Sequence, residues 1–484
     1  MIRKRLKRWL HLGHRWLGIV TCLLFATWFV SGLVMLHVGF PALSEDARRA
    51  GLPALDWAQV RLSPEEALAA AGADRFPRDL RLAMLDRRAV YRITDWDGSI
   101  RTRSALDGAP VAGVDAATAR AVAAHDPRAV RPASLGTVAR DQWSVTARYD
   151  PLRPFHLVGL GDAAETRLYV SARTGAVALD TTGRERFWNW FGAIPHWIYL
   201  TPLRAQAELW RDVVLWVSGV AAAAAVSGFW IGLLRLRPRR RYRDGRATPY
   251  RGWMAWHHLA GTVGGVTLLA FIASGWLSVN PNRWFGPRAP SQEMLERYAG
   301  TTAPRFAPGV AALRAACPEV VELRFGHLGG RPLAVAASRG DTVSCFGDDA
   351  LGLAHLTAAA RLLLPEAGAP RVTCLEEEDA YWYGPRDARP LPVLRAVFAD
   401  PDATWFHIDP RTGEILNRTD RSARLYRWLF SAAHTWDLGI LLRHPPARDI
   451  VVWLLSALGL ATALSGIVLG WRRLRRRAVR PVPA

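Results

Sequence analysis

Apolar residues in this chain are bunched rather than spread. Four stretches, roughly Trp16 to Val38, Val213 to Leu236, Trp253 to Val279 and Ile450 to Trp471, each approach the ~20 apolar residues that a hydrocarbon layer about 30 Å thick requires. None carries Asp, Glu or Lys in its middle, so each is expected to be a membrane-spanning helix. Between them the period changes. Ser63-Pro64-Glu65-Glu66 reads as an N-cap, a proline at the first helical position and two acids, opening an Ala-rich helix. Alternating runs at Leu80 to Met84, Ala89 to Thr94 and Ile100 to Ser104 predict strands, with Asp97-Gly98 as the turn between the last two. From Thr166 to Leu179 two short strands are joined by Arg173-Thr174-Gly175. An α+β domain is therefore expected over 39–208, and a worn copy over 280–447 whose helix starts at Ala307-Pro308.

The copying is legible in the spans. Ser31-Gly32 recurs as Ser274-Gly275, and at the same offset of 243 His14 falls on His257 and Gly18 on Gly261. A second offset of 238 places Ser227-Gly228 on Ser465-Gly466, His196 on His434, Trp190 on Trp428, Asp141 on Asp379, and Arg173-Thr174-Gly175 on Arg411-Thr412-Gly413. Internal similarity of this length predicts a duplicated span–domain–span unit, hence a four-helix membrane bundle with two outer α+β domains. Two spans per copy return the chain to its starting side, so the copies run parallel and equivalent sites should meet at their interface.

Charge orients this layout. The formal net charge is +21, but 20 of the 63 basic residues lie within 1–15, 235–251 and 471–484, beside one acid, Asp244. The remainder is almost neutral, which argues against a nucleic-acid partner and for basic segments kept cytoplasmic beside lipid-facing spans. The expected order is a cytoplasmic N-terminus and first span (1–38), outer domain (39–208), second span (209–236), basic loop (237–252), third span (253–279), outer domain (280–447), fourth span (448–471) and basic tail (472–484). The first apolar run is too long for a signal-peptide core and is expected to remain as an anchor. Of four cysteines, Cys22 lies inside the first span, whereas Cys317, Cys345 and Cys374 share the second outer domain, where one disulfide is expected with its pairing open.

Histidine in an apolar span is costly enough to be a functional candidate. Of 13 histidines, the pairs His14/His257 and His196/His434 obey the duplication, one pair near the cytoplasmic face and the other near the outer face. Two imidazoles meeting across a pseudo-two-fold axis are the arrangement that grips a haem iron from both sides. Two such layers, separated by roughly 20–30 Å along a helix, would carry electrons across the bilayer. His11, His258 and His37 are competing ligands; His37 has Asn280 as its repeat partner, so symmetric ligation excludes it. The sequence has no CxxCH motif, so a haem here is non-covalent and b-type. The acid run Glu376 to Asp379 is a weaker cation candidate that reads first as a solvated face.

These residues resemble a known family, the PepSY-associated transmembrane helix (iron-regulated membrane) proteins. The resemblance covers nearly the whole chain. It rests on the basic start with His14-Arg15-Trp16-Leu17-Gly18, on Trp256-His257-His258 to Gly261 with His258 where arginine is more usual, on the Ser-Gly ends of the spans, on His434 with Gly439, and on Ser63 to Gly113 as a PepSY-like segment. It implies a bacterial inner-membrane protein with two b-type haems, similar to siderophore reductases that pass electrons from a quinol or a cytoplasmic reductase to an extracytoplasmic ferric chelate. Trp188, Trp190, Trp197, Trp428 and Trp436 are candidate chelate contacts or membrane anchors. Competing expectations are a PepSY-based sensory or protease-regulating protein, and a transporter of siderophore or haem.

Overall fold

The computed structural model describes residues 2–239, 242–338, 341–347, 351–385 and 389–478. Parts of the basic loop (240–241) and of the basic tail (479–484) lie outside the described residues. The chain divides into two compact units, one made of Met1–Phe40, Phe187–Phe285 and Arg424–Ala484, the other of Pro41–Arg186 and Gly286–Ala423.

The first unit is helical. Among the described residues three helices, Arg5–His37, Ala207–Arg235 and Pro445–Arg475, are long and apolar enough to cross a membrane. The stretch expected as a straight third span is instead two helices, Gly252–Val263 and Gly265–Ser278, bent by 61°. The bend falls where the backbone comes closest to its neighbours. A Cβ added at Gly265 would stand 2.8 Å from Phe229, and one at Gly264 3.2 Å from the Leu458 carbonyl. Only glycine tolerates both approaches, and its low helix propensity lets the axis turn there. Alanines on Ala207–Arg235 (Ala221, Ala224, Ala225) receive Phe25 and Phe29 of the first helix and Leu268 and Ile272 of the bent pair. In lipid such packing is held by close van der Waals fit rather than by exclusion of water, which is why small residues line the seam. The opposite faces are apolar and open: Val20 and Trp216 are each 73% exposed.

The second unit is α+β. Its strands are β1 (Asp79–Leu85), β2 (Arg88–Thr94), β3 (Ile100–Ser104), β4 (Ala133–Val138), β5 (Phe155–Gly159), β6 (Arg167–Ser171), β7 (Val177–Thr181), β8 (Glu322–Leu328), β9 (Arg331–Ala337), β10 (Thr342–Phe346), β11 (Arg371–Leu375), β12 (Val393–Val397), β13 (Trp405–Ile408) and β14 (Ile415–Thr419). The expected runs all form strands, and Ser63 makes the reciprocal capping box with Glu66 at the start of Pro64–Ala70. The second helix begins later than expected, at Val310, because Gly309 rather than Ala307 supplies the cap position.

The segments 39–208 and 280–447, expected as separate domains, meet in one six-stranded antiparallel sheet of order β10-β9-β8-β1-β2-β3. The joint is the β1–β8 ladder, with Leu80 opposite Phe325 and Leu82 opposite Leu323. One sheet face buries Leu80, Leu82, Tyr91, Ile93, Leu323 and Phe325 in a single core. On the other face Glu322, 4% exposed, accepts from Arg48 at 2.7 and 2.8 Å and pairs with Arg81 at 3.2 Å. Burial alone would raise the Glu322 pKa, but the guanidinium groups outweigh it and hold the carboxyl below its ordinary value. Cys317 and Cys345 form the disulfide, leaving Cys374 and Cys22 as free thiols.

Two four-stranded sheets complete the unit, β4-β5-β6-β7 and β11-β12-β13-β14, in the same antiparallel order. Local detail recurs between them at the sequence offset of 238. Asp162 caps Thr166 with both oxygens, and Asp400 does the same for Thr404. The left-handed residues Glu165 and Gly175 match Ala403 and Gly413.

Candidate functional site

Each of the four repeat-matched histidines is seated on a Ser-Gly pair of another helix. His14 of the first helix places Nδ1 3.2 Å from the Ala224 carbonyl and 3.4 Å from Ser227 Oγ. His257 of Gly252–Val263 places Nδ1 2.9 Å from Ser465 Oγ. His196, closing the short helix Ala193–His196, reaches Ser31 Oγ at 3.0 Å and the Trp28 carbonyl at 3.2 Å. His434 reaches Ser274 Oγ at 3.0 Å and the Phe271 carbonyl at 3.1 Å.

These contacts settle the tautomer. Every one of the four serine hydroxyls donates to a carbonyl three residues back: Ser227 to Ala224, Ser465 to Thr462, Ser31 to Trp28 and Ser274 to Phe271. The carbonyls beside Nδ1 of His14, His196 and His434 can only accept, so Nδ1 carries the hydrogen in these rings and the Nε2 lone pair is left free to bind a metal. Among the described residues none hydrogen-bonds Nε2 of these four rings. The glycine after each serine makes room for the ring. A Cβ at Gly32, Gly275 or Gly466 would stand 3.3 Å from Cε1 of His196, His434 or His257, and one at Gly228 only 2.5 Å from Cε1 of His14.

The seats bring the rings together in two pairs. The centroids of His14 and His257 lie 6.4 Å apart with planes at 25°, and those of His196 and His434 lie 6.1 Å apart with planes at 73°. Two imidazole nitrogens each about 2 Å from a shared metal ion put the ring centroids about 6 Å apart. Among the described residues no group of three or more His, Cys, Asp or Glu is placed to hold a metal ion unaided. A pair of axial imidazoles suits a metal whose remaining positions are filled by a macrocycle.

A cavity of about 760 Å³ opens around His14 and His257. Its walls include Ile19, Phe25, Phe229 and Leu268, and Arg15, Arg251, Arg472 and Arg473 also line it. An apolar slot of this size edged by guanidinium groups suits a flat apolar ligand carrying carboxylates.

The competing histidines are placed otherwise. His11 lines the same cavity one turn from His14, with Nδ1 2.8 Å from the Lys7 carbonyl. His258 also lines the cavity, but its Nε2 is engaged, 3.1 Å from the Gly232 carbonyl, and its ring lies against Tyr250. His37 accepts from the Trp453 indole N–H at 3.2 Å. Trp188, Trp190 and Trp428 are exposed, while Trp197 and Trp436 are half-buried. In the acid run, Asp379 is committed to Arg395 at 2.7 and 3.0 Å, and Glu378 accepts from the Gly384 amide. The serine seats escaped sequence reading. The repeated Ser-Gly dipeptide was a visible signal, but its partner lies on a different helix. No family model matches the chain, and no curated protein matches it.

Proposed function

We propose that the chain is a bacterial inner-membrane electron carrier of the PepSY-associated transmembrane type, holding two b-type haems and reducing an extracytoplasmic ferric chelate, as a ferric-siderophore reductase serving iron acquisition. In this reading the bent pair counts as one span, and the molecule is a duplicated four-span bundle with both termini cytoplasmic. The recurrence of strand order, caps and left-handed residues at one offset supports the duplication, as do Ile198 and Trp436, which share a positive φ at the same offset.

One observation carries the haem assignment: four imidazoles in two pairs, about 6 Å between centroids, each with Nδ1 against a serine of a neighbouring helix and no partner on Nε2 among the described residues. His14 and His257 would hold the inner group, with Arg15, Arg251, Arg472 and Arg473 facing its carboxylates. His196 and His434 would hold the outer one. When bound, such a group supplies a one-electron couple without proton transfer. The serine seats keep each imidazole neutral and aimed, and the aromatic and alanine packing between the layers keeps water from the path. With both groups bound, the inner layer would take electrons from a quinol or a cytoplasmic reductase and the outer layer would pass them to the ferric chelate.

Purified protein should show a Soret band and a reducible α band with two haems per chain. After anaerobic reduction, adding ferric chelates should reoxidise the haem. A colourless preparation that stays colourless after haem is supplied would sink the reading.

A further inference from the structure

We propose that Arg92 and Arg48 hold a small oxyanion, a carboxylate or a phosphate group, in a cavity of the α+β unit. None of the four paired histidines lines this cavity, and the inference does not depend on the haem reading.

The site begins with strand register. Arg81 of β1 lies directly opposite Arg92 of β2 on one side and Arg324 of β8 on the other, so three guanidinium groups cross one sheet face in a row. Arg48, on the helix Glu45–Ala50, adds a fourth through its contacts with Glu322. Like charges set opposite one another on a sheet are unfavourable, so each needs a counter-charge. Three of them have one. Arg48 bonds to Glu45 and Glu322, Arg81 pairs with Asp79 at 2.6 Å and Glu322 at 3.2 Å, and Arg324 pairs with Asp79 at 2.9 Å and Glu414 at 3.1 Å. Among the described residues no carboxylate pairs with Arg92, and its Nε is buried without a partner. Burial pulls the Arg92 pKa down to about 10, with Glu322 opposing the fall and Arg48 and Arg81 adding to it. The guanidinium is still charged at neutral pH, and a buried charge without a partner is the costly kind.

Arg92 opens onto a cavity of about 30 Å³ that Arg48, Asp86, His125 and Gly175 also line. That is room for about two water molecules, the space of a carboxylate or of two phosphate oxygens. A guanidinium presents its N–H groups in a planar fork that fits two oxygens of one anion. Arg92 has its fork unspent, and Nη1 of Arg48 has given one hydrogen to Glu322 and keeps the other. The Asp86 carboxylate in the same wall is taken up by His125, whose Nε2 lies 3.2 Å from Oδ1.

A matched ladder shows that strand formation does not require arginine at this slot. At the sequence offset of 243, β1 and β2 fall on β8 and β9 residue for residue, and Arg92 falls on Val335. Val335 lies opposite Arg324 just as Arg92 lies opposite Arg81. An apolar side chain fits there beside a single cation, and the second cation answers to something the sheet itself does not supply.

Thermal unfolding of the full chain in detergent tests this, with chloride exchanged for acetate or for inorganic phosphate at fixed ionic strength. In the parent, acetate or phosphate should raise the midpoint by about 2–4 °C and saturate, acetate marking a carboxylate site and phosphate a phosphate site. Phosphate also raises midpoints through its exclusion from protein surfaces, so the specific part is the rise that Arg92→Val lacks. In chloride alone Arg92→Val should unfold no lower than the parent, because it removes an unpaired cation and matches the slot opposite Arg324. Arg92→Lys keeps the charge without the fork and should show a smaller rise. The proposal is overturned by a parent with no saturable rise in either anion, by an equal rise in Arg92→Val, or by a lower midpoint of Arg92→Val in chloride, which marks a purely structural arginine. If Arg92→Val does not fold, Arg92→Gln takes its place in the anion comparison.

Discussion

Around His14 and His257 the helices stand back and leave a cavity of about 760 Å³ lined in part by arginines, whereas around His434 aromatic rings close in, with Phe430 and Phe271 at 5.0 and 5.7 Å. Both pairs use the same seat, a serine hydroxyl that is already donating and a glycine that leaves room for the ring. What differs is the shell beyond the seat. The two pairs share the seat and differ in what surrounds it, and in the proposed duplication that is where the two copies have diverged.

The comparison breaks most visibly at the ligands themselves. His14→Ala or His257→Ala should remove the inner haem and about half of the Soret absorbance, with the outer haem spared, and His196→Ala or His434→Ala should do the reverse. Pyridine haemochrome assay of the purified variants checks the stoichiometry. If all four variants keep two haems, the ligand assignment is wrong.

The glycines should separate the layers next. An added methyl at Gly228 stands 2.5 Å from the His14 ring, against 3.3 Å at Gly275 and His434. Overpacking of this kind costs about 1–3 kcal/mol. Gly228→Ala should therefore weaken inner haem binding by about tenfold or more, while Gly275→Ala changes the outer site less, as haem titration of apo-protein will show.

Removing a serine should act equally on both layers, since the seats are alike. Ser465→Ala and Ser274→Ala each lose one hydrogen bond to Nδ1, worth about 0.5–1.5 kcal/mol. Several-fold weaker retention of the corresponding haem is expected, and a loss confined to one layer would show that the seats are not equivalent.

The smallest effect is expected at the arginines. Arg15→Gln with Arg473→Gln should weaken inner haem retention by less than about fivefold, and more at low salt than at high, because exposed charges are screened. Outer retention should not respond. A salt dependence at both layers would dissociate the arginines from the inner cavity.

Much of the molecule was legible in the sequence because its signals are local or periodic. The Ser63 capping box, the strands at Leu80 and Ala89, and the glycine turn at Gly175 all depend on residues a few positions apart. The histidine pairs were legible for another reason, since constant offsets picked out His14 with His257 and His196 with His434, the rings that the fold brings together. The break at Gly264 and Gly265 was not legible, because those glycines read equally well as a close-approach seam in a straight helix. The shared sheet was hidden too: β1 and β8 each carry an unremarkable strand pattern, and nothing local says which edge will meet which.

By itself, then, the sequence determined the apolar spans, the α+β character of the long segments, the repeat and the identity of the paired histidines, since composition and periodicity act along the chain. Tertiary structure alone decided that Cys317 joins Cys345, that each Nδ1 rests on a serine from another helix, and that the ring planes stand at 25° in one pair and 73° in the other. Orientation of a side chain is set by what packs against it from distant parts of the chain, and a one-dimensional pattern carries no angle.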